Sequence, residues 1–165
     1  MLKLYSKILI ITLFLGCYKI EKNQHNYTKS FILTNTKQLT NKGDNGEAYF
    51  SNFNNMLIFQ SKRDGNECDK IYTMSTHGDN IQIIPFEDGA YTCSYFSLDD
   101  ETIFFASTMQ DGKDCPKVYK DPNPRKYIWP LRNYDIYSYK DNNLKNLTSS
   151  NGYDAEATVH PNENK

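Results

Sequence analysis

The chain of 165 residues repeats itself, and this internal repeat limits the possible folds more than any other feature. Residues 48–51 (AYFS) return as 94–97 (SYFS), and residues 57–61 (LIFQS) return as 103–107 (IFFAS). Both matches have the same offset of 46 residues. A repeat of this length, with several short apolar runs in each unit, is typical of the blades of a β-propeller.

The repeat also has a third copy and one insertion. Residues 156–157 (EA) match 47–48 (EA) and begin the third copy, whereas 135–137 (DIY) match 70–72 (KIY) at an offset of 65. The longer offset places an insertion, at about 109–133, between the second and third strands of the second copy. We therefore predict an all-β fold of four-stranded antiparallel blades, forming an incomplete propeller of about two blades plus edge strands.

Turn-forming residues divide each copy into four strands, because Asn, Asp and Gly tolerate the backbone conformations of tight hairpins. Strands such as 56–59 are apolar on both faces, which indicates a sheet packed between neighbours. The predicted strands are about 47–51, 56–62, 70–76 and 81–86 in the first copy, and about 91–97, 102–108, 134–140 and 144–148 in the second.

The composition excludes two classes of protein. With 19 basic and 20 acidic side chains the net charge is −1, and nucleic-acid binding requires a basic excess, so we expect no nucleic-acid partner. The 13 Tyr and 9 Phe residues exceed what a disordered chain contains, and they favour strands.

The first residues are predicted to be an export signal. Lys3 and Lys7 precede an apolar run, 8–15, that is far shorter than the ~20 residues that span a bilayer as a helix. Residues 14–17 (FLGC) resemble a bacterial lipobox, which implies cleavage before Cys17 and acylation of that cysteine. The alternative is an ordinary signal peptide with an incidental cysteine. Lipidation would anchor the protein in the cell envelope of a bacterium, facing the periplasm or the exterior.

The repeats resemble those of bacterial TolB-like, WD40-like propellers. The resemblance lies in residues 37–40 (KQLT), 47–51 (EAYFS), 58–61 (IFQS) and 152–159 (GYDAEATV), and it covers about 35–165. Family repeats usually carry Ser-Pro-Asp-Gly in the first turn, whereas the turns here are degenerate. The chain looks particularly like a lipoprotein branch whose long insertion bears Cys-Pro and Tyr-x-Trp-Pro, here at 115–116 and 127–130.

The resemblance and the repeat together predict the organisation of the chain. A signal peptide occupies 1–17, a polar tether and edge strand 18–34, and a partial propeller 35–165, which comprises a blade at 39–86, a blade at 87–148 and the start of a third at 149–165. Propellers typically close with four to eight blades. We therefore expect a piece of a longer propeller or, as a second possibility, a protomer completed by self-association.

Three cysteines remain beyond the signal, and blade topology predicts that Cys68, Cys93 and Cys115 lie near one rim. In an oxidising envelope we expect one disulfide and one spare thiol. We favour Cys93–Cys115 slightly, because it would fix the insertion, but all three pairings remain open. A zinc site is the lesser alternative, since the short Cys-x₂-Cys spacing is missing.

Two further groups of residues are candidates for binding. Arg125, Tyr127, Trp129 and Arg132 in the insertion are of the types that dominate interface hot spots, although the loop could instead pack on its own blade.

The carboxylates Glu47, Asp154 and Glu156 stand at the entrances of first strands, which line a propeller channel. There they could bind Ca²⁺ or a cationic group through oxygen ligands. The alternative is that each caps turn N–H groups within its own blade. We expect no other cofactor.

The sequence contains no Gly-x-Ser-x-Gly elbow, no His-Glu-x-x-His and no glycine-rich phosphate loop, so we expect no catalytic residues. The interpretation is a lipid-anchored envelope scaffold that binds a protein, peptide or glycan without catalysis. The alternative is the regulatory propeller of an envelope peptidase or hydrolase whose catalytic domain lies outside this chain.

Overall fold

The computed structural model describes residues 33–86, 89–117, 122–123 and 132–162. The chain divides into two units, 1–36 and 37–165, and every described strand belongs to the second. In the part of the chain that the structure describes, no helix has the length and apolar character needed to cross a bilayer.

Eight strands in the described residues form two separate four-stranded antiparallel sheets, in which neighbours in sequence are neighbours in the sheet. This confirms the predicted all-β blade architecture. The first sheet, blade 1, contains β1 (Asp44–Phe50), β2 (Met56–Lys62), β3 (Lys70–Ser75) and β4 (Gln82–Ile83). The second sheet, blade 2, contains β5 (Tyr91–Phe96), β6 (Ile103–Ser107), β7 (Asp135–Lys140) and β8 (Asn143–Asn146).

The strands follow the predicted repeat, with the largest differences in β1 and β4. β1 begins at Asp44 rather than at about residue 47, and β4 is shorter than the predicted 81–86. In the third copy, the described residues contain only one isolated bridge, a parallel pairing of Tyr134 with Tyr153. A short 3₁₀ turn, Met109–Asp111, begins the insertion after β6.

The first strand of each blade, β1 or β5, is its inner strand. A bulge interrupts both inner strands at the same position of the repeat. The register of β1 against β2 shifts between Gly46 and Tyr49, and that of β5 against β6 shifts between Thr92 and Tyr95. A bulge inserts an unpaired residue and redirects the side chains around it. The bulges therefore change which side chains of β1 and β5 can reach the neighbouring blade.

The main core lies between the two sheets. Ile58 and Ile71 of blade 1 pack against Tyr91, Phe96 and Phe105 of blade 2, and all five side chains are buried. Side chains alternate between the two faces of a strand. The neighbours of Ile58 in β2 therefore face away from blade 2, where they join a second cluster comprising Leu57, Phe59, Tyr72 and Met74, with Leu39 packed against it.

The first turn of blade 1 is hydrogen-bonded to the equivalent turn of blade 2, which lies one repeat later in the sequence. The Asp100 carboxylate accepts hydrogen bonds from the backbone N–H groups of Asn52 (2.6 Å) and Phe53 (2.9 Å). The Asn52 side-chain amide donates to the Leu98 carbonyl oxygen at 2.6 Å. Asn52 and Leu98 hold equivalent positions in the repeat, so this contact joins the first turn of blade 1 to the first turn of blade 2.

Glycine is required at one repeated position. Gly43 and Gly89 are 46 residues apart and have φ values of +75° and +71°, which L side chains rarely adopt. A Cβ at Gly43 would lie 2.8 Å from the Arg63 Cβ, and one at Gly89 would lie 2.9 Å from the Met109 amide nitrogen. Both blades therefore keep a glycine where the chain enters the inner strand.

Candidate inner-strand pocket

A pocket of about 90 Å³ opens where the bulges of successive repeats meet. Its lining repeats with the sequence, because it uses the same positions of the first, second and third copies. The residues that line this inner-strand pocket are Glu47, Tyr49, Cys93, Ser94, Tyr95, Glu156, Ala157 and Thr158.

Glu47 and Cys93 lie in the bulges of β1 and β5, and Glu156 is their counterpart in the third copy. All three have left-handed backbone conformations, with φ values of +49°, +52° and +62°. Such values are uncommon for residues other than glycine, and strained backbone tends to cluster at functional sites. The same unusual conformation thus recurs at each repeat and brings the three side chains to one place.

Glu47 connects blade 1 to blade 2 at this point. Its Oε2 accepts a hydrogen bond from the Cys93 backbone N–H at 3.0 Å. The Thr92 hydroxyl lies 3.3 Å from the same oxygen and 2.6 Å from Gln60 Oε1. Glu47 therefore accepts from the next blade, rather than capping a turn of its own blade as the sequence alternative proposed. Its Oε1 has no hydrogen-bond partner among the described residues.

Of the cysteines that the structure describes, Cys93 is the one without a disulfide. Its sulfur lies 3.9 Å from Glu156 Oε1. Burial raises the pKa of the Cys93 thiol, and the negative charges of Glu47 and Glu156 raise it further. The group is therefore a neutral thiol at pH 7, and thiols in that state are poor nucleophiles.

The pocket carries a negative field. The pKa of Tyr49 is raised, first by burial and then by nearby negative groups that include Glu47 and Glu156. The nearby Tyr153 also has a raised pKa, through burial and then through negative groups that include the same two carboxylates. The rings of Tyr49 and Tyr95 meet edge to face, with centroids 5.8 Å apart.

Ser94 contributes a polar atom with no partner. The residue is only 1% exposed, and its Oγ makes no hydrogen bond within the part of the chain that the structure describes. A buried hydroxyl without a partner costs free energy that a hydrogen bond from a ligand would recover. Ser94 lines the same pocket as the two glutamates.

The three carboxylates singled out in the sequence do not form one site. Glu47 and Glu156 line the pocket, whereas Asp154 accepts a hydrogen bond from the Ser150 hydroxyl at 2.7 Å and is not part of the lining. Within the described ranges, no group of three or more His, Cys, Asp or Glu side chains is placed to hold a metal ion. The described residues therefore do not provide the set of ligands that the predicted Ca²⁺ site would need.

The favoured Cys93–Cys115 pairing is wrong. The structure joins Cys68 to Cys115, with Cα atoms 5.4 Å apart. Cys68 lies in the loop between β2 and β3, and Cys115 lies in the insertion, which occupies the equivalent loop between β6 and β7 of blade 2. The bulge of β5 instead directs Cys93 toward Glu47 and Glu156. The disulfide still fixes the insertion, but to a loop of the neighbouring blade.

Several predicted residues fall outside the described part of the chain, namely Cys17 in the signal and Arg125, Tyr127 and Trp129 in the insertion. Arg132 is described: its Nη2 donates to the Lys117 carbonyl oxygen, and its Nε is buried with no partner among the described residues. Arg132 thus contacts the insertion itself.

Sequence reasoning missed the contribution of Tyr49, Cys93, Ser94 and Tyr95 to the pocket. The signal was present, since Glu47 aligns with Cys93 at the offset of 46 and with Glu156 in the third copy. What the alignment did not show is the bulge, which brings neighbouring side chains of the same strands into one pocket.

No protein-family model matches the sequence, and no curated protein matches it. Among solved structures, the chain is similar to that of a "putative TolB" from Agrobacterium tumefaciens, with 16% sequence identity and a TM-score of 0.48. The match covers 67% of this chain and 35% of that chain, so this chain spans about a third of its length. The two repeated four-stranded sheets themselves define the class of fold, an all-β array of propeller-type blades.

Proposed function

We propose that the protein is a non-catalytic binding scaffold of the bacterial cell envelope, which holds a partner at the inner-strand pocket. The observation that carries this proposal is the lining of the pocket by equivalent positions of three consecutive repeats. Five of the eight lining residues lie on β1 and β5, and residues on strands are positioned more rigidly than residues on loops, which lowers the entropy lost on binding.

The chemistry of the pocket favours binding over catalysis. Its most reactive side chain, the Cys93 thiol, has a raised pKa and two carboxylates nearby, which disfavour the thiolate that a nucleophile needs. Glu47 already accepts hydrogen bonds through one oxygen, which fixes its position for a ligand. These features support a pocket that holds a group in place.

The envelope location rests on the N-terminal sequence. The basic residues, the apolar run 8–15 and the lipobox-like residues 14–17 support export and acylation at Cys17. Replacing Cys17 by serine should abolish incorporation of an alkyne-labelled fatty acid in a bacterial host, whereas Cys93→Ser should leave it unchanged. Equal labelling of the Cys17→Ser variant would overturn the anchor.

Site-specific photo-crosslinking in the bacterial envelope tests the scaffold. A benzophenone amino acid at Tyr49, which is 44% exposed and lines the pocket, is compared with one at Leu147, which is 43% exposed and lies outside the lining. We expect a discrete crosslinked partner from position 49 and none from position 147. The same yield and partners from both positions would overturn the assignment of the pocket.

The insertion is a second candidate surface of the same scaffold, through Arg125, Tyr127, Trp129 and Arg132. Deleting 109–132 would also remove Cys115 and its disulfide, so the sharper variant is Trp129→Ala. If the loop contacts the partner, this variant should lower the crosslinking yield from position 49 several-fold. An unchanged yield would remove the loop from the interface.

A further inference from the structure

We propose that the inner-strand pocket binds a primary alkylammonium group of the kind that ends a lysine side chain. This inference rests on the proposed binding function and specifies the group that the pocket takes. It is argued from the charge of the site, its acceptors and its aromatic rings.

The charge of the pocket calls for a cation. Glu47 and Glu156 are its carboxylates, and both contact Cys93, Glu47 through the backbone N–H and Glu156 through the sulfur. The raised pKa values of Cys93, Tyr49 and Tyr153 all include contributions from these two carboxylates. Negative charges gathered in a concave site raise the local concentration of cations.

The acceptors match the donors of an ammonium group in number. Glu47 Oε1 and the buried Ser94 Oγ have no hydrogen-bond partner among the described residues, and Glu156 adds a second carboxylate. A primary ammonium group has three N–H donors and no acceptor. Two carboxylates and one hydroxyl would therefore satisfy all three donors and also provide the missing partner of Ser94.

The size of the pocket and its aromatic rings suit an alkylammonium group. At about 90 Å³ the pocket has room for an ammonium head and part of its alkyl stem. The rings of Tyr49 and Tyr95 can contact the alkyl stem and attract the charge through their faces. A metal ion is disfavoured, because the described residues offer no group of three suitable ligands.

The pocket is open to a group that a partner presents. The side chains of Glu47 and Glu156 are exposed, and Tyr49 is 44% exposed, whereas Ser94 lies at the buried end. A flexible four-carbon stem could pass the tyrosines and place its head group among the acceptors.

Calorimetric titration of the full chain tests the inference. The probes are Nα-acetyl-lysine methylamide, its uncharged counterpart Nα-acetyl-norleucine methylamide, and free n-butylamine. We expect the lysine probe to bind and the norleucine probe not to bind. Butylamine carries the same alkylammonium group and should bind as well, whereas tighter binding of the lysine probe would show that the site also contacts the backbone of a protein partner. Equal binding of the lysine and norleucine probes would overturn the proposal.

Variants locate the binding within the pocket. Glu47→Gln and Glu156→Gln should each lower the affinity for the lysine probe about five-fold or more, since each removes a charged acceptor. The control Glu67→Gln removes an exposed carboxylate outside the lining and should change affinity less than two-fold. Circular dichroism checks that each variant folds. If Glu47→Gln fails to fold, Glu156→Gln decides, and affinity unchanged in that variant would overturn the proposal.

The two proposals fail in different ways. If position 49 still captures a discrete partner but no lysine probe binds, the ammonium inference is wrong and the scaffold stands. If the lysine probe binds but positions 49 and 147 crosslink equally, the proposed scaffold function is wrong while the pocket keeps its ligand class.

Discussion

The two blades are copies of one repeat, yet equivalent side chains have different surroundings. Phe50 and Phe96 occupy the same position in β1 and β5, but Phe50 is 60% exposed and Phe96 only 4%. The difference arises because Phe96 lies between the two sheets, whereas Phe50 faces away from blade 2. A position in the repeat therefore determines which face a residue occupies, and the neighbouring blade determines whether it is buried.

The same contrast holds for Arg63 and Met109, which are also 46 residues apart. Met109 packs against the core between the blades. Arg63 stands on the opposite face of blade 1, with its guanidinium 5.2 Å from the ring centre of Phe59 and 5.1 Å from that of Tyr72. Arg63 therefore covers the apolar face of blade 1 with a charged group, whereas the equivalent Met109 packs a thioether into the core. The side-chain chemistry at a repeated position thus depends on the neighbouring elements.

Truncation of the two phenylalanines should give the largest difference in stability between equivalent positions. Phe96→Ala should lower the free energy of unfolding by about 3–5 kcal/mol, because it leaves a cavity in the core. Phe50→Ala should cost less than about 1 kcal/mol, since the side chain is mostly exposed. Urea denaturation of both variants provides the measurement. Similar losses would mean that Phe50 is buried in the protein in solution.

Removing the disulfide should have the next largest effect. Cys68 and Cys115 are 47 positions apart, and the double variant Cys68→Ala/Cys115→Ala should lose about 2–4 kcal/mol of stability, mainly through greater freedom of the unfolded chain. Thermal unfolding under oxidising conditions measures the loss, with Cys93→Ala as the control. A larger loss in Cys93→Ala would contradict the observed pairing.

Arg63→Met exchanges the side chain of blade 1 for its blade 2 counterpart. The substitution keeps much of the apolar stem but removes the hydrogen bonds from the guanidinium to Lys42 O (3.0 Å) and Asn45 Oδ1 (2.6 Å). We expect a loss of about 2 kcal/mol in urea denaturation. A variant as stable as the wild type would show that the ring contacts and the hydrogen bonds of Arg63 contribute nothing beyond packing.

Asp100→Asn probes the contact between turns with a smaller expected effect. The carboxylate accepts from two backbone N–H groups of blade 1, and an amide retains only one comparable acceptor, so about 1 kcal/mol should be lost. Asparagine tolerates the φ of +58° at this position. The reciprocal control, Asn54→Asp, changes the equivalent residue of blade 1 and should leave stability unchanged. Equal losses of stability in the two variants would contradict the role of the Asp100 carboxylate as the acceptor between the turns.

Tyr134→Phe should have the smallest effect at neutral pH. Burial raises the pKa of Tyr134 to about 12, from its ordinary value of 10.0. The neutral phenol is therefore favoured in the folded state, and its stabilisation, complete below pH 10, is lost as the pH rises from about 10 to 12. In alkaline denaturation the variant should lose less stability over this range than the wild type. Identical alkaline profiles would contradict the burial of this hydroxyl.

The repeat allowed the fold to be predicted in detail, while the pocket was only partly accessible from the sequence. The apolar runs and the turn residues located β2 and β3 closely, because both signals act over a few neighbouring residues. Glu47 and Glu156 were identified from their repeat positions. The role of Cys93 was not, since it depends on a bulge that the alternation of side chains does not reveal.

By itself, the sequence determined the class of sheet, the number of strands in each of the first two copies and the position of the insertion. These features follow from local backbone preferences and from a spacing that is visible along the chain. Only the tertiary structure decided that Cys68 pairs with Cys115, that Phe96 is buried while Phe50 is exposed, and that Ser94 reaches the same pocket as the two glutamates. These outcomes depend on how one blade lies against the next, and equal positions in a repeat have equal surroundings only where their neighbours are also equal.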